Sequence, residues 1–144
     1  MYLPLVPKEI KQAVDKTLQK IKKIKRPYRY IVCTGYSGAL IAGFISVKLK
    51  KEIIIVRKPS DSSHGHVIES DQDKFLYDKN ERGNRRSNYV IIDDFIVSGE
   101  TIRRIIETCS PHKLTCIGVV RYKDDHDLSP TEQLMSARHR IPIL

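Results

Sequence analysis

A single α/β domain, with a central and mostly parallel sheet flanked by helices and a small cap, follows from three features of this 144-residue chain. Short apolar runs such as Glu52–Val56 (EIIIV) show no polar alternation, so both faces of those strands should be covered. Segments with helical periodicity fall between these runs, and that alternation implies parallel strands joined by crossovers. With 40% hydrophobic and 30% charged residues, the chain has the balance of an ordinary globular protein. Its length is enough to bury a substantial core as one unit covering 1–144.

Taken in order, Pro7 to Ile24 predicts an amphipathic helix. Ile10, Val14, Leu18, Ile21 and Ile24 form its apolar stripe, lysines lie opposite, and Pro7 suits the first turn. Arg26-Pro27 ends it. Tyr30–Cys33 is a short buried strand leading into a glycine-containing turn, Thr34-Gly35-Tyr36-Ser37-Gly38. Ala39–Leu49 is a nearly all-apolar helix that needs cover on most sides, and Glu52–Val56 is the second strand. Between Lys58 and Asn88 the pattern lapses into a polar stretch too long for a simple connection. Two weak strand candidates within it, His66–Ile68 and Phe75–Tyr77, could pair as a hairpin, and the stretch reads as a lid over a site. Tyr89–Ile92 and Leu114–Val120 supply two more strands, separated by a helix from Thr101 to Cys109. After a polar segment come a short helix, Pro130–Arg138, and the apolar stretch Ile141–Leu144. The first helix and residues 121–144 would form the cap.

The formal charge is +9, concentrated in Lys16–Arg29 and Arg82–Arg86. Such a balance favours polyanionic partners, although in the first cluster the lysines also serve as the solvated face of a helix. Cys33, Cys109 and Cys116 are an odd count without zinc-ligand spacing, which points to core packing in a reducing compartment. The start, MYLPLVPKEI, is too short and too quickly charged for a secretory signal, and no apolar run reaches membrane-spanning length. The expectation is a cytoplasmic protein with no membrane partner.

Chemistry concentrates in Tyr89–Thr101, YVIIDDFIVSGET. A buried strand ends in two adjacent carboxylates, Asp93 and Asp94. A short apolar link then leads to a hydroxyl-and-glycine turn, Ser98-Gly99-Glu100-Thr101, that opens a helix. Backbone N–H groups at such a turn, with the helix dipole behind them, can hold a phosphate. Two carboxylates beside it would repel phosphate and suit neutral hydroxyls or a cation. A sugar phosphate with free hydroxyls, carrying a metal, fits both halves.

This stretch resembles the 5-phosphoribosyl-1-pyrophosphate (PRPP) signature of type I phosphoribosyltransferases: hydrophobic strand, two acidic residues, apolar link, then Thr/Ser-Gly-x-Thr. The resemblance implies that family's fold, a pentosyltransferase activity, and roles for individual residues. Asp93 and Asp94 would face the ribose hydroxyls, and Val97, Ser98, Gly99, Glu100 and Thr101 would wrap the 5-phosphate. Mg2+ would be held through PRPP near Asp93 and Asp94, with no protein ligand assigned directly. Thr34, Gly35, Tyr36, Ser37 and Gly38 would bind pyrophosphate, largely through backbone N–H groups. The family commonly carries Lys or Arg where this chain has Ser37, so a fixed positive charge is missing there. Arg57-Lys58 and His64-Gly65 resemble the flexible loop of orotate-type members. That likeness places Arg57 and Lys58 at the pyrophosphate and His64 among the catalytic groups with Asp93 and Asp94. Val97 stands where some members carry an aspartate that acts on the base, so the loop itself supplies no general acid or base.

The implied reaction transfers the phosphoribosyl group of PRPP to a purine or pyrimidine base, giving a nucleoside 5-monophosphate and pyrophosphate in nucleotide salvage or synthesis. The implied partners are PRPP, the base and a second copy of the chain in a homodimer. The alternative is a PRPP- or nucleotide-sensing regulator of the same fold, RNA-binding and with weak or no transferase activity.

Overall fold

The computed structural model of the chain describes residues 6–57, 68–69, 87–94, 99–123 and 127–144. The apolar runs become strands β1 (Tyr30–Cys33), β2 (Glu52–Val56), β3 (Ile68–Glu69), β4 (Ser87–Asp93) and β5 (Leu114–Arg121). Among the described residues they form one sheet in the order β3-β2-β1-β4-β5. Four strands are parallel, with Tyr30 paired to both Glu52 and Tyr89, and Ser87 paired to Leu114. Only the edge strand β3 is antiparallel.

Every residue of β1 is buried, as its unbroken apolar sequence requires, because helices cover both faces of the sheet. Helices α1 (Pro7–Ile21) and α2 (Gly35–Leu49) pack on the face reached by Ile31, Cys33, Val90 and Ile92. Helices α3 (Glu100–Cys109) and α4 (Pro130–His139) pack on the face reached by Tyr30, Val32, Tyr89 and Ile91. Alternate residues of each strand thus feed two separate apolar layers. The cysteines are free thiols inside these layers, with Cys33 and Cys109 buried and Cys116 partly so.

Two helix boundaries and the cover of α2 differ from the sequence-based expectation. Helix α1 stops at Ile21, and Ile24 leaves the helix to pack on β5 at Gly118. Helix α2 starts at Gly35, so the turn expected from Thr34 to Gly38 is the first turn of the helix, capped by Thr34. Glycine reads locally as a breaker, whereas close helix–strand approach was what this turn needed. At the first strand candidate, Ile68–Glu69 pairs with Val56 and Ile55 of β2. The Phe75–Tyr77 candidate and most of the 58–88 stretch lie outside the described residues. The expected near-complete cover of α2 is also partial, since Phe44 and Val47 are exposed.

The carboxyl-terminal stretch extends the sheet beyond β5. Val119 N–H donates to the Pro142 carbonyl, Leu144 N–H to the Val119 carbonyl, and Arg121 N–H to the Leu144 carbonyl. Within β5 the pairing to β4 slips by one residue after Cys116, because Tyr89 faces Cys116 and Val90 faces Gly118. At this bulge Gly118 makes room for Ile24: a Cβ there would lie 2.7 Å from Ile24 Cδ1, so the isoleucine tip would have to shift.

A buried ion pair joins β5 to α4. Arg121 is 4% and Glu132 2% exposed, and their side chains meet at 2.9 Å. The second Glu132 oxygen accepts from the Ser129 N–H while the Ser129 hydroxyl accepts from the Glu132 N–H, a reciprocal cap on α4. Arg121 Nε donates to the Leu144 carbonyl, and Lys20 Nζ of α1 donates to the Arg121 carbonyl. No helix of the described residues is long and apolar enough to cross a membrane.

Candidate active site

Strand β4 is fully buried from Tyr89 to Ile92 and becomes half-exposed at Asp93 and Asp94. The carboxylates therefore sit where the apolar core meets the carboxyl edge of the sheet, the edge at which open α/β folds collect ligands. Their backbone is held in place. The Asp93 carbonyl accepts from Tyr122 N–H at 3.0 Å and the Asp94 carbonyl from Lys123 N–H at 3.1 Å. Asp93 Oδ1 also accepts the Asp94 N–H at 2.9 Å.

The first turn of α2 lies directly against this strand end. A Cβ on Gly38 would be 3.3 Å from Cys33 Cβ, tighter than ordinary packing, and 3.7 Å from the Ile92 carbonyl oxygen, so glycine there lets the turn lie close against the strand end. Val32 pairs with Ile91, and carrying that register two residues further sets Thr34 level with Asp93. The Thr34–Gly38 segment and the acid pair, some sixty residues apart in sequence, thus share one crevice. The first amides of the α2 turn have no intrahelical partners, as at any helix start, and stand at the same sheet edge as the acid pair. Arg57 follows β2 at the same edge and is half-exposed.

On the other side, Gly99 takes a left-handed conformation (φ 79°) as the cap of α3. Its conformation and its surroundings both call for glycine, because a Cβ would meet Met135 Sδ of α4 at 2.8 Å. Glu100 is turned outward: Arg103 bonds its carboxylate at 2.6 Å, and that hydrogen bond and charge hold its pKa below the usual range. Glu100 can therefore offer a phosphate its N–H group while its charge stays with Arg103. Thr101 is half-buried in the same turn. Of the other expected contacts, Lys58, His64, Val97 and Ser98 lie outside the described residues.

Asp93 also acts on the core beneath it. Burial and then the Asp93 charge push the Cys33 thiol up to about 12, and burial pushes Cys116 to about 12 and Cys109 to about 11. In the unfolded chain these thiols ionise from about pH 8.5. The folded protein keeps protons that the unfolded chain releases, so this contribution to stability is complete below that pH and declines as pH rises toward the folded values. Urea unfolding is expected to show a lower midpoint at about pH 10 than at about pH 7, with most of the difference lost in a triple Cys→Ala variant. An equal pH response in that variant would assign the effect to other groups.

Two contributors escaped the sequence reading. Arg104 of α3 donates to the Thr34 hydroxyl at 3.3 Å, which also accounts for a cap residue whose side chain makes no capping bond to α2. Arg104 and Thr101 are three residues apart and share a helix face, a spacing that was open to inspection. Met135, packed under Gly99, carried no local signal.

The sequence matches the family model for a phosphoribosyl transferase domain over residues 5–127. No curated protein matches the chain. Among solved structures, it is similar to orotate phosphoribosyltransferase of Francisella tularensis, with a TM-score of 0.69 and 18% identity over 97% of this chain and 66% of that one. It is likewise similar to adenine phosphoribosyltransferase of Saccharomyces cerevisiae, at TM-score 0.67 and 16% identity over 96% of this chain and 79% of that one. Orotate phosphoribosyltransferase of Aeropyrum pernix gives TM-score 0.67 and 17% identity, covering 96% and 70%. At such identities the likeness establishes the fold. The chain spans just under two thirds of the Francisella enzyme and 22% of the UMP synthase of Leishmania donovani, which it also resembles.

Proposed function

The chain belongs to the phosphoribosyl transferase domain family, and from that premise we propose that it transfers the phosphoribosyl group of PRPP to a purine or pyrimidine base in nucleotide synthesis or salvage. The observation that carries this reading is the packing of the α2 turn, through Gly38, onto the Ile92–Asp93 strand end. One crevice thereby holds amide donors for an anion beside a carboxylate pair for ribose.

In the reaction the bond from the anomeric carbon to the pyrophosphate oxygen breaks, its electron pair leaves with pyrophosphate, and a ring nitrogen of the base bonds to that carbon as its N–H proton passes to the departing pyrophosphate. Positive charge builds on the ribose as the bond breaks. Asp93 and Asp94 orient the ribose hydroxyls and stabilise that charge. The 97–101 turn anchors the 5-phosphate, residues 34–38 with Arg57 and Lys58 take the pyrophosphate, and His64 joins Asp93 and Asp94 as a catalytic group. Two adjacent carboxylates with no third acidic or histidine ligand among the described residues suit Mg2+ shared with the oxygens of PRPP. When bound, that ion would neutralise charge on the leaving pyrophosphate. We place the protein in the cytoplasm, consistent with its reduced thiols. A homodimer is supported by the exposed Phe44 and Val47 on α2.

A second reading, a PRPP- or nucleotide-sensing regulator that binds RNA, is favoured by one observation. Lys25, Arg26, Arg29, Lys50 and Lys51 gather at the amino edge of the sheet, opposite the crevice. There the Arg29 N–H reaches the Asn88 carbonyl and Lys51 Nζ the Tyr28 carbonyl.

Thermal unfolding tests the crevice itself. PRPP at about a hundred times its dissociation constant should add about 2.7 kcal/mol, a shift of several degrees, while ribose without phosphate should leave the midpoint in place. Equal shifts from both compounds would remove the phosphate site. Transfer to one of a panel of bases then separates catalyst from sensor.

A further inference from the structure

We propose that Arg104 supplies a cationic contact, from α3, to the pyrophosphate end of a bound phosphoribosyl donor, beside Arg57 and Lys58. Arg104 has this role only if the crevice takes PRPP as proposed above.

Residues 34–38 contain no cationic side chain, so this turn offers a pyrophosphate neutral donors only. A group carrying several negative charges is held far better when a charged donor joins neutral ones. Arg104 is the arginine that reaches this turn. From α3 it crosses the strand ends to the hydroxyl of Thr34, the residue that caps α2 and lies level with Asp93. Its neighbour Arg103 is turned the other way and committed to Glu100 and Glu107 on the solvent side. The doublet thus divides into a surface salt bridge and a cation directed to the crevice.

The bonding of Arg104 leaves capacity for a ligand. A guanidinium has five N–H donors, and one of them makes a long 3.3 Å bond to a neutral hydroxyl. Arg104 Nε is buried and has no acceptor among the described residues. Buried donors of a charged group are costly to leave unsatisfied, and a phosphate oxygen is the acceptor that a planar fork of this kind matches best. Arg104 also lies one turn after the Gly99 cap and on the same helix face as Thr101. A donor whose 5-phosphate sits at the α3 start and whose pyrophosphate sits at the α2 start would therefore span the arginine.

Calorimetric titration with inorganic pyrophosphate, PRPP and ribose 5-phosphate tests the assignment, because ribose 5-phosphate carries only the distal phosphate. In Arg104→Gln, pyrophosphate and PRPP should bind about ten-fold more weakly or worse, with ribose 5-phosphate changed by less than about two-fold. Adding Ser37→Lys to that variant places a cation in the turn itself and should restore most of the lost PRPP affinity. Arg104→Lys, which keeps the charge without the fork, should show the same selective loss to a smaller degree, and serves if the glutamine variant does not fold. Unchanged pyrophosphate binding in a folded variant, or an equal loss for all three ligands, would overturn the role of Arg104. A wild-type protein that binds neither PRPP nor ribose 5-phosphate would overturn the transferase reading itself.

Discussion

Replacing Asp93 and Asp94 together with asparagine is expected to lower turnover by roughly two orders of magnitude or more, while PRPP affinity falls much less. Asparagine keeps the size of each side chain and part of its hydrogen bonding, but removes two negative charges from beside the ribose. In a catalyst those charges matter most when the anomeric carbon becomes cationic, so the loss belongs to the transition state. The backbone at this point should persist, because the Asp93 and Asp94 carbonyls are held by the Tyr122 and Lys123 N–H groups whatever the side chains. Steady-state kinetics with a confirmed acceptor base, alongside calorimetric PRPP binding, checks the split. Undiminished turnover in a folded double variant would remove these residues from catalysis. Binding of PRPP by the wild type without transfer to any base would favour the sensor.

The largest effect on stability should come from Glu132→Gln. Glutamine can still accept the Ser129 N–H and preserve the cap on α4, but it removes the buried carboxylate that faces the Arg121 guanidinium at 2.9 Å. Removing one partner of a buried pair costs about 3–5 kcal/mol, which for a chain of this length lowers Tm by roughly 10 °C or more. Replacing both, as Arg121→Met with Glu132→Leu, should recover most of the loss, because well-packed apolar residues can stand in for a buried pair. Denaturant unfolding of the two single variants and the double variant, treated as a double-mutant cycle, measures the coupling. A Glu132→Gln protein as stable as the wild type would mean that Arg121 is satisfied by its other partners, the Leu144 carbonyl among them. The effect should extend to the site, because Arg121 pairs with Asp93 in the sheet.

The strands were legible because they are local: uninterrupted aliphatic runs at Tyr30–Cys33 and Glu52–Val56 form strands with the expected boundaries. The acid pair and the α3 turn were legible for a similar reason, since strand, carboxylates and glycine cap fall within thirteen consecutive residues. What the sequence hid depends on contacts between distant segments. Gly38 looks like the end of a loop until Cys33 and Ile92 are seen against it. Ile68–Glu69 finds its partner on the edge of β2, and no local periodicity announces which edge a two-residue strand will take. Arg104 reaches a residue 70 positions away. Glu132 was half-visible, as the fourth residue of Ser129-Pro-Thr-Glu, but nothing in that motif points to Arg121.

The extra residue at Ile117–Gly118 acts as a parity change in β5. Before it, Leu114 and Cys116 face the α3–α4 layer, so even-numbered positions point that way. After it, Val119 faces that layer while Val120 and Tyr122 face α1 and α2, so the odd-numbered positions do. Arg121 meets Glu132 only because its position has become odd in this sense. Losing the extra residue at 117–118 would restore a simple alternation and leave Arg121 facing Glu132, whereas gaining one there would turn Arg121 toward the apolar α1–α2 side and Val120 toward Glu132. Deletion of the bulge residue should therefore be tolerated and a single insertion rejected, although the strand ends three residues beyond the bulge.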